Sequence, residues 1–173
     1  MVIGMDLDGV LYDFVTPAYR ELVLHHSVTI PFIEFWREAD NIFPPEFWKS
    51  FLAIECLYSA SKALPEDVET LNYLAKNNSI YYVTSRPKNC ELATYNWLRR
   101  EGFPGYNNLF VVQNGKRPIL EMIKMDYFIE DRPYHADSVR DLTTVIMKDT
   151  PWNQEAKDYK RIKLVSELKE IIK

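Results

Sequence analysis

Val2-Ile3-Gly4-Met5-Asp6-Leu7-Asp8-Gly9-Val10-Leu11-Tyr12-Asp13 is a short apolar run that breaks abruptly into acids and glycine. An apolar stretch of this length, bounded by such residues, reads as a buried strand. Its C-terminal end delivers Asp6. Asp6, Asp8 and Asp13 follow so closely that packing them together would set their charges against one another unless something positive sat among them.

The same pattern recurs along the chain. Pro65 opens a helix expected to run to about Asn77, with Glu66 and Asp67 in its first turn and Val68, Leu71 and Leu74 on one face. Ser79 to Val83 reads as a second strand, followed by a helix from about Lys88 to Glu101, a strand from Leu109 to Val112 and a helix from Pro118 to Lys124. Tyr127 to Ile129 and Thr144 to Met147 supply two further strands, separated by a short helix from Pro133. A closing helix capped by Ser166 turns Leu168, Ile171 and Ile172 inward. Strands alternating with helices predict parallel pairing through crossovers, hence a three-layer, Rossmann-like α/β sheet with its functional residues at the C-terminal strand ends.

Composition narrows the class. The 173 residues, 47% hydrophobic and 27% charged, can bury one core but not two ordinary domains. No stretch approaches the roughly 20 continuous apolar residues of a membrane span, and the N-terminus lacks the makeup of a signal peptide. The expectation is a cytoplasmic protein with no membrane partner. Cys56 and Cys90 have no metal-ligand spacing around them and read as core thiols. A net charge of -4 offers no footprint for duplex nucleic acid, although a few local cations suffice to bind a small anion.

Glu130-Asp131, at the end of Tyr127-Phe128-Ile129, is a second acidic pair. By themselves such acids often cap a helix or face water. Parallel strands would instead bring them to the same edge as Asp6 and Asp8, a set of oxygen ligands suited to a hard cation such as Mg²⁺. Thr84 closes the second strand and leads into Ser85-Arg86-Pro87, where a hydroxyl and free N–H groups can hold a phosphate oxygen. Lys116, after the third strand, could balance the carboxylates and a phosphoryl group; Arg117 and Lys124 compete for that role.

Taken in order, these residues resemble the haloacid dehalogenase superfamily of phosphatases. Asp6-Leu7-Asp8-Gly9-Val10 matches the first motif, Thr84 the second, Lys116 the third and Glu130-Asp131 the fourth. The resemblance implies that Asp6 is the nucleophile and Asp8 the acid and base, with Thr84 and Lys116 completing the catalytic set. Thr84, Ser85, Arg86 and Lys116 would bind the phosphate ester. Mg²⁺ would be held by Asp6, Asp8 through its backbone carbonyl, and Asp131. Glu130 stands where that motif usually has aspartate, which leaves it beside the metal or linked to it through water.

A closer similarity, to the 5′(3′)-deoxyribonucleotidase family, rests on Asp6 to Asp13, Val83 to Pro87, Phe128 to Pro133 and Thr150-Pro151-Trp152-Asn153. It implies a helical cap inserted after the first strand, at residues 14–64, over a core of residues 1–13 and 65–173. The implied substrate is a nucleoside monophosphate. Another small phosphate ester, or a binding-only protein that keeps the fold, is the alternative. Phe32, Phe35, Trp36, Phe43, Phe47, Trp48 and Phe51 crowd the insertion and would either stack on a nucleobase or pack its helices together. His25, His26 and His135 read as surface or core histidines. Neither a Gly-x-x-x-x-Gly-Lys loop nor a Gly-x-Gly-x-x-Gly turn is present, which speaks against a kinase or dehydrogenase.

Overall fold

The apolar runs pair side by side into one sheet. In the computed structural model, which describes residues 1–26, 29–32, 34–35, 45–52 and 54–172, the strands are β1 (Val2–Met5), β2 (Ser79–Thr84), β3 (Leu109–Val111), β4 (Tyr127–Glu130), β5 (Thr144–Lys148) and β6 (Lys160–Ile162). Their order is β3-β2-β1-β4-β5-β6, and every pairing is parallel. The described α-helices are α1 (Val15–His26), α2 (Pro45–Leu52), α3 (Pro65–Leu74), α4 (Glu91–Glu101), α5 (Arg117–Ile123), α6 (Pro133–Asp137) and α7 (Leu168–Ile171).

Side chains alternate across a strand, so each strand feeds two cores. Ile3, Met5, Tyr82, Ile129 and Ile146 join Leu71 and Leu74 of α3, Trp97 and Leu98 of α4 and Leu168 of α7. Their neighbours Val83, Phe128, Val145 and Met147 join Leu120 of α5 and Ala136 of α6 on the opposite side. The expected three layers are thus present, and burial of each large side chain is worth about 1.5–3 kcal/mol. Gly4 keeps the centre of β1 thin: a Cβ there would lie 2.3 Å from Met125 Sδ and 2.7 Å from the Phe128 ring.

Four local expectations change. β6 was not anticipated, because Lys160-Arg161-Ile162 has only Ile162 buried and carries no apolar run. Residues 88–90 form a 3₁₀ turn before α4, and α3 stops at Leu74. The closing turn is capped by Glu167 rather than Ser166: its Oε1 accepts from the N–H groups of Lys163 at 2.9 Å and Leu164 at 2.7 Å, and only four residues of α-helix follow.

Within residues 14–64, Phe14, Val15, Ala18, Leu22, Phe35, Phe51, Leu57 and Tyr58 join the core shared by β1 and α4. Phe35 and Phe51 therefore serve packing, Phe47 stacks on Phe51 with ring centroids 5.7 Å apart, and Phe32 is exposed. Trp36, Phe43 and the side chain of Trp48 lie outside the described residues, as do the side chains of His25, His26 and Cys56. Cys90 is a buried thiol. No described helix is long and apolar enough to cross a membrane.

Candidate active site

The sheet order makes β2, β1 and β4 neighbours, so the residues leaving their C-terminal ends converge. Asp6 continues β1 by one step, its N–H donating to Ile129 O at 2.9 Å. Thr84 closes β2 and Glu130 closes β4. Lys116 enters from the loop after β3, immediately before α5, and is almost fully buried.

Lys116 is the hub. Its Nζ donates to Asp6 Oδ1 at 2.8 Å and to Glu130 Oε2 at 2.7 Å. The other oxygen of Glu130 accepts the N–H groups of Asp131 and Arg132, both at 3.0 Å. Glu130 is therefore held at both oxygens by three protein donors. The competing cations point elsewhere: Arg117 pairs with Asp141 and Glu121 on the surface, and Lys124 is exposed at the end of α5.

Asp131 is held differently. Its Oδ2 accepts from Trp152 Nε1 at 2.8 Å, and its carbonyl accepts from Asn153 Nδ2 at 2.7 Å. Its Oδ1 is buried and has no hydrogen-bond partner among the described residues. Asp6, Glu130 and Asp131 each offer an oxygen, and these atoms lie within 4.8 Å of one another.

The electrostatics fit a missing positive charge. Burial, reinforced by the charge on Glu130 and opposed by Lys116, pushes the Asp6 carboxyl up to about 6. Burial, then the charges on Glu130 and Asp6, raise Asp131 well above the ordinary carboxylate range. Burial also acts to raise Glu130, but the charge and hydrogen bond of Lys116, helped by the backbone donors, hold it below its usual value. One ammonium thus neutralises Glu130 and part of Asp6, while Asp131 remains uncompensated. A divalent cation with a preference for oxygen ligands meets that deficit, and the orphaned Oδ1 is a donor suited to it.

Asp8 is not part of this cluster. Arg86 grips it from two directions, Nε to Oδ2 at 2.9 Å and Nη2 to Oδ1 at 2.7 Å. The guanidinium is buried between the rings of Tyr12 and Tyr58, 4.6 and 4.7 Å from their centroids, and its Nη1 donates to Thr94 at 3.0 Å. Tyr12 in turn donates its hydroxyl to Leu57 O. Gly9, with φ +82°, lets the chain turn past Asp131: a Cβ there would sit 2.2 Å from Asp131 Oδ2.

Of the predicted site residues, Asp6 and Lys116 meet directly, Glu130 shares the Lys116 ammonium with Asp6, and Asp131 offers an oxygen within 4.8 Å of those of Asp6 and Glu130. Thr84 is buried at the end of β2, its hydroxyl accepting from the Arg86 N–H at 3.4 Å. Ser85 is exposed, and the Arg86 side chain is engaged by Asp8 and Thr94. Sequence reading gave no role to the side chains of Trp152, Asn153, Tyr12 and Tyr58. The first two could have been sought after β5, where a Thr-Pro-Trp-Asn turn leaves the same edge of the sheet. His135, half-buried on α6, also feels the site: burial and then the charge on Lys116 lower it to about 4.

Known proteins resemble the chain on the same lines. A protein of Bacillus cereus described as "Putative nucleotidase" is 34% identical over 189 residues, spanning 100% of this chain and 98% of its own. A haloacid dehalogenase-like hydrolase of Streptococcus pneumoniae superposes with a TM-score of 0.73 at 13% identity, over 99% of this chain and 98% of its own. A haloacid dehalogenase family hydrolase of Deinococcus radiodurans, solved with phosphate and sodium, gives 0.66 at 14% identity over 99% and 94%. At such identities these two establish the fold. Residues 1–173 match the family described as 5′ nucleotidase, deoxy (Pyrimidine), cytosolic type C protein.

Proposed function

Because the chain belongs to the cytosolic type C 5′ nucleotidase family, a phosphatase family with the haloacid dehalogenase fold, we propose that it hydrolyses a nucleoside monophosphate through an aspartyl-phosphate on Asp6. The observation that carries this reading is the convergence of Asp6, Lys116, Glu130 and Asp131 at adjacent strand ends, with one buried Asp131 oxygen left unpartnered.

Asp6 attacks phosphorus in line with the departing ester oxygen. The new bond joins an Asp6 carboxylate oxygen to phosphorus, the phosphorus–ester bond breaks, and Asp8 supplies the proton that leaves with the alcohol. Water then attacks the aspartyl-phosphate, Asp8 takes its proton, and inorganic phosphate departs with Asp6 restored. Lys116 fixes the Asp6 carboxylate and uses two of its three N–H donors on Asp6 and Glu130, leaving a third for a phosphoryl oxygen. Thr84 contributes a hydroxyl at the same edge, with the exposed Ser85 beside it.

Asp6 and Asp131, with the Asp8 carbonyl, would hold Mg²⁺; Glu130, held at both oxygens by protein donors, serves Lys116 instead. When bound, Mg²⁺ shields the phosphate charge from the nucleophile and neutralises charge that builds up on the phosphoryl group. Arg86, a phosphate ligand in the sequence-based expectation, acts here on Asp8: to give up or accept a proton, Asp8 must loosen at least one of the two hydrogen bonds.

Residues 14–64 are taken as the cap over this edge. Tyr58, stacked on Phe14 with centroids 5.3 Å apart and on the Arg86 guanidinium, ties that segment to the acid and base. The family's description as cytosolic supports a cytoplasmic setting. The decisive experiment is a panel of deoxyribo- and ribonucleoside monophosphates against sugar phosphates, with and without Mg²⁺, combined with trapping of acid-stable phosphoprotein in a rapid quench. Equal turnover of nucleotides and sugar phosphates would remove the nucleotide substrate. Full turnover in chelator would remove the metal.

A further inference from the structure

We propose that Trp152 is a positioning residue for the metal site: its indole N–H holds one oxygen of Asp131 so that the other is presented to Mg²⁺. The proposal rests on the reading of Asp131 as a metal ligand and assigns a role to a residue outside the catalytic motifs.

The geometry is asymmetric. Trp152 Nε1 donates to Asp131 Oδ2 at 2.8 Å, while the buried Oδ1 has no partner among the described residues. A free carboxylate rotates its two oxygens interchangeably, and one donor fixed on one oxygen breaks that equivalence. Indole suits the task because it has a single N–H, no acceptor and no charge. It lessens the cost of burying an anion without neutralising it, so the carboxylate keeps its charge for a cation. A lysine in its place would compete with the metal.

The donor is itself braced. Asn153 Nδ2 donates to Asp131 O and to Lys148 O, both at 2.7 Å, tying the Trp152 turn to the ends of β4 and β5. Arg161 of β6 donates to Asn153 Oδ1 at 2.6 Å, and the N–H of Thr150 donates to the same oxygen at 3.2 Å. On the other side the indole closes against Gly9, where a Cβ would lie 3.2 Å from Trp152 Cζ2. The edge strand β6 thereby gains a purpose beyond extending the sheet: through Arg161 and Asn153 it sets the turn that aims Trp152.

The test is calorimetric titration of Mg²⁺ into metal-free wild type, Trp152→Phe and Asp131→Ala. Phenylalanine keeps an aromatic plane and removes the donor together with part of the ring. Partners of metal ligands of this kind are typically worth 10- to 100-fold in metal affinity, so Trp152→Phe is expected to weaken Mg²⁺ binding by about tenfold or more. Its kcat at saturating Mg²⁺ should stay within about threefold of wild type, which a general loss of structure would not allow.

A second readout needs no variant to fold. In the wild type one indole N–H proton resonance should shift on addition of Mg²⁺ and broaden on substitution by paramagnetic Mn²⁺. Unchanged affinity in Trp152→Phe, or no indole resonance responding to either ion, overturns the proposal. If Asp131→Ala binds Mg²⁺ as the wild type does, the metal site itself is misassigned. Loss of binding in Asp131→Ala with unchanged affinity in Trp152→Phe would leave the metal site standing and remove only the role of Trp152.

Discussion

Replacing Lys116 by methionine tests the electrostatic design of the site. The variant keeps the length of the side chain and removes the cation that contacts Asp6 at 2.8 Å and Glu130 at 2.7 Å, in a place where Lys116 and Glu130 are 1% and 0% exposed. Breaking a buried ion pair by deleting one partner costs about 3–5 kcal/mol, because the surviving charge is stranded away from water. At about 2–4 °C per kcal/mol for a chain of this size, the melting temperature should fall by roughly 6–20 °C at pH 7.5.

The pH dependence carries the sign. In wild type Lys116 holds Glu130 below its ordinary value, so this group contributes stability above pH about 4.5 and loses it as pH falls through its folded pKa. Without the lysine, burial is opposed only by the N–H donors of Asp131 and Arg132, and Glu130 should rise. The penalty is then present at neutral pH and is relieved as the carboxyl protonates on acidification. The gap between wild type and Lys116→Met should therefore narrow from pH 7.5 to pH 5, and adding Glu130→Gln to the variant should recover part of the loss. Matched thermal melts in chelator measure all of this. A Lys116→Met melt within about 2 °C of wild type, below the shift expected from even 1 kcal/mol, or a gap that widens in acid, would refute the reasoning.

Asp6→Asn should leave less than about 1% of turnover and no trapped phosphoprotein while melting close to wild type, since an amide of nearly equal volume is a poor nucleophile. Gly9→Ala, with φ +82° and a Cβ directed 2.2 Å from Asp131 Oδ2, should lose about 1–2 kcal/mol of stability and weaken Mg²⁺ binding. A melt and a Mg²⁺ titration equal to wild type would contradict the close approach. A deoxyribonucleoside monophosphate should exceed ribose 5-phosphate in kcat/KM by at least about tenfold, since stacking a base is worth roughly 1–3 kcal/mol; equal values would leave a phosphatase without a nucleotide preference.

The core of the fold was legible because its signals are local. Val2–Met5, Ser79–Thr84 and Tyr127–Glu130 are apolar runs long enough to read as buried strands, and each delivers at its end or one step past it the residue that matters, Asp6, Thr84 or Glu130. β6 was illegible because this edge strand buries only Ile162 and carries no apolar run. Lys116 could be singled out from Arg117 and Lys124 by motif order, whereas the physical reason, two buried carboxylates within 2.8 Å of Nζ, appears only in three dimensions. Trp152 could be placed after β5 from its Thr-Pro-Trp-Asn turn, but its role could not be read for the same reason. Its meaning depends on Asp131, which is distant in sequence, and on a turn braced by Arg161 from the unanticipated strand.

Asp6 and Asp8 lie one residue apart, yet the fold gives them opposite surroundings, and the division follows from where the strand stops. Asp6 still belongs to the sheet: its N–H pairs with β4, and its carboxyl is held by Lys116, which also binds Glu130. By Asp8 the chain has left the sheet and turned at Gly9, so its carboxyl reaches the residues after β2 instead, where Arg86 meets it. The Asp8 side chain is 29% exposed while the Arg86 side chain is 0% exposed, which makes the guanidinium the fixed, buried member and the carboxylate the one open to solvent. Tyr58, brought from the 14–64 segment onto the guanidinium, links that fixed member to the segment assigned as the cap. On the proposed reading, Asp6 as nucleophile is held by the sheet and Asp8 as acid and base is tethered at its margin, the arrangement a two-step phosphoryl transfer calls for. The first group must not move between the steps, and the second must serve an alcohol in one and a water in the other.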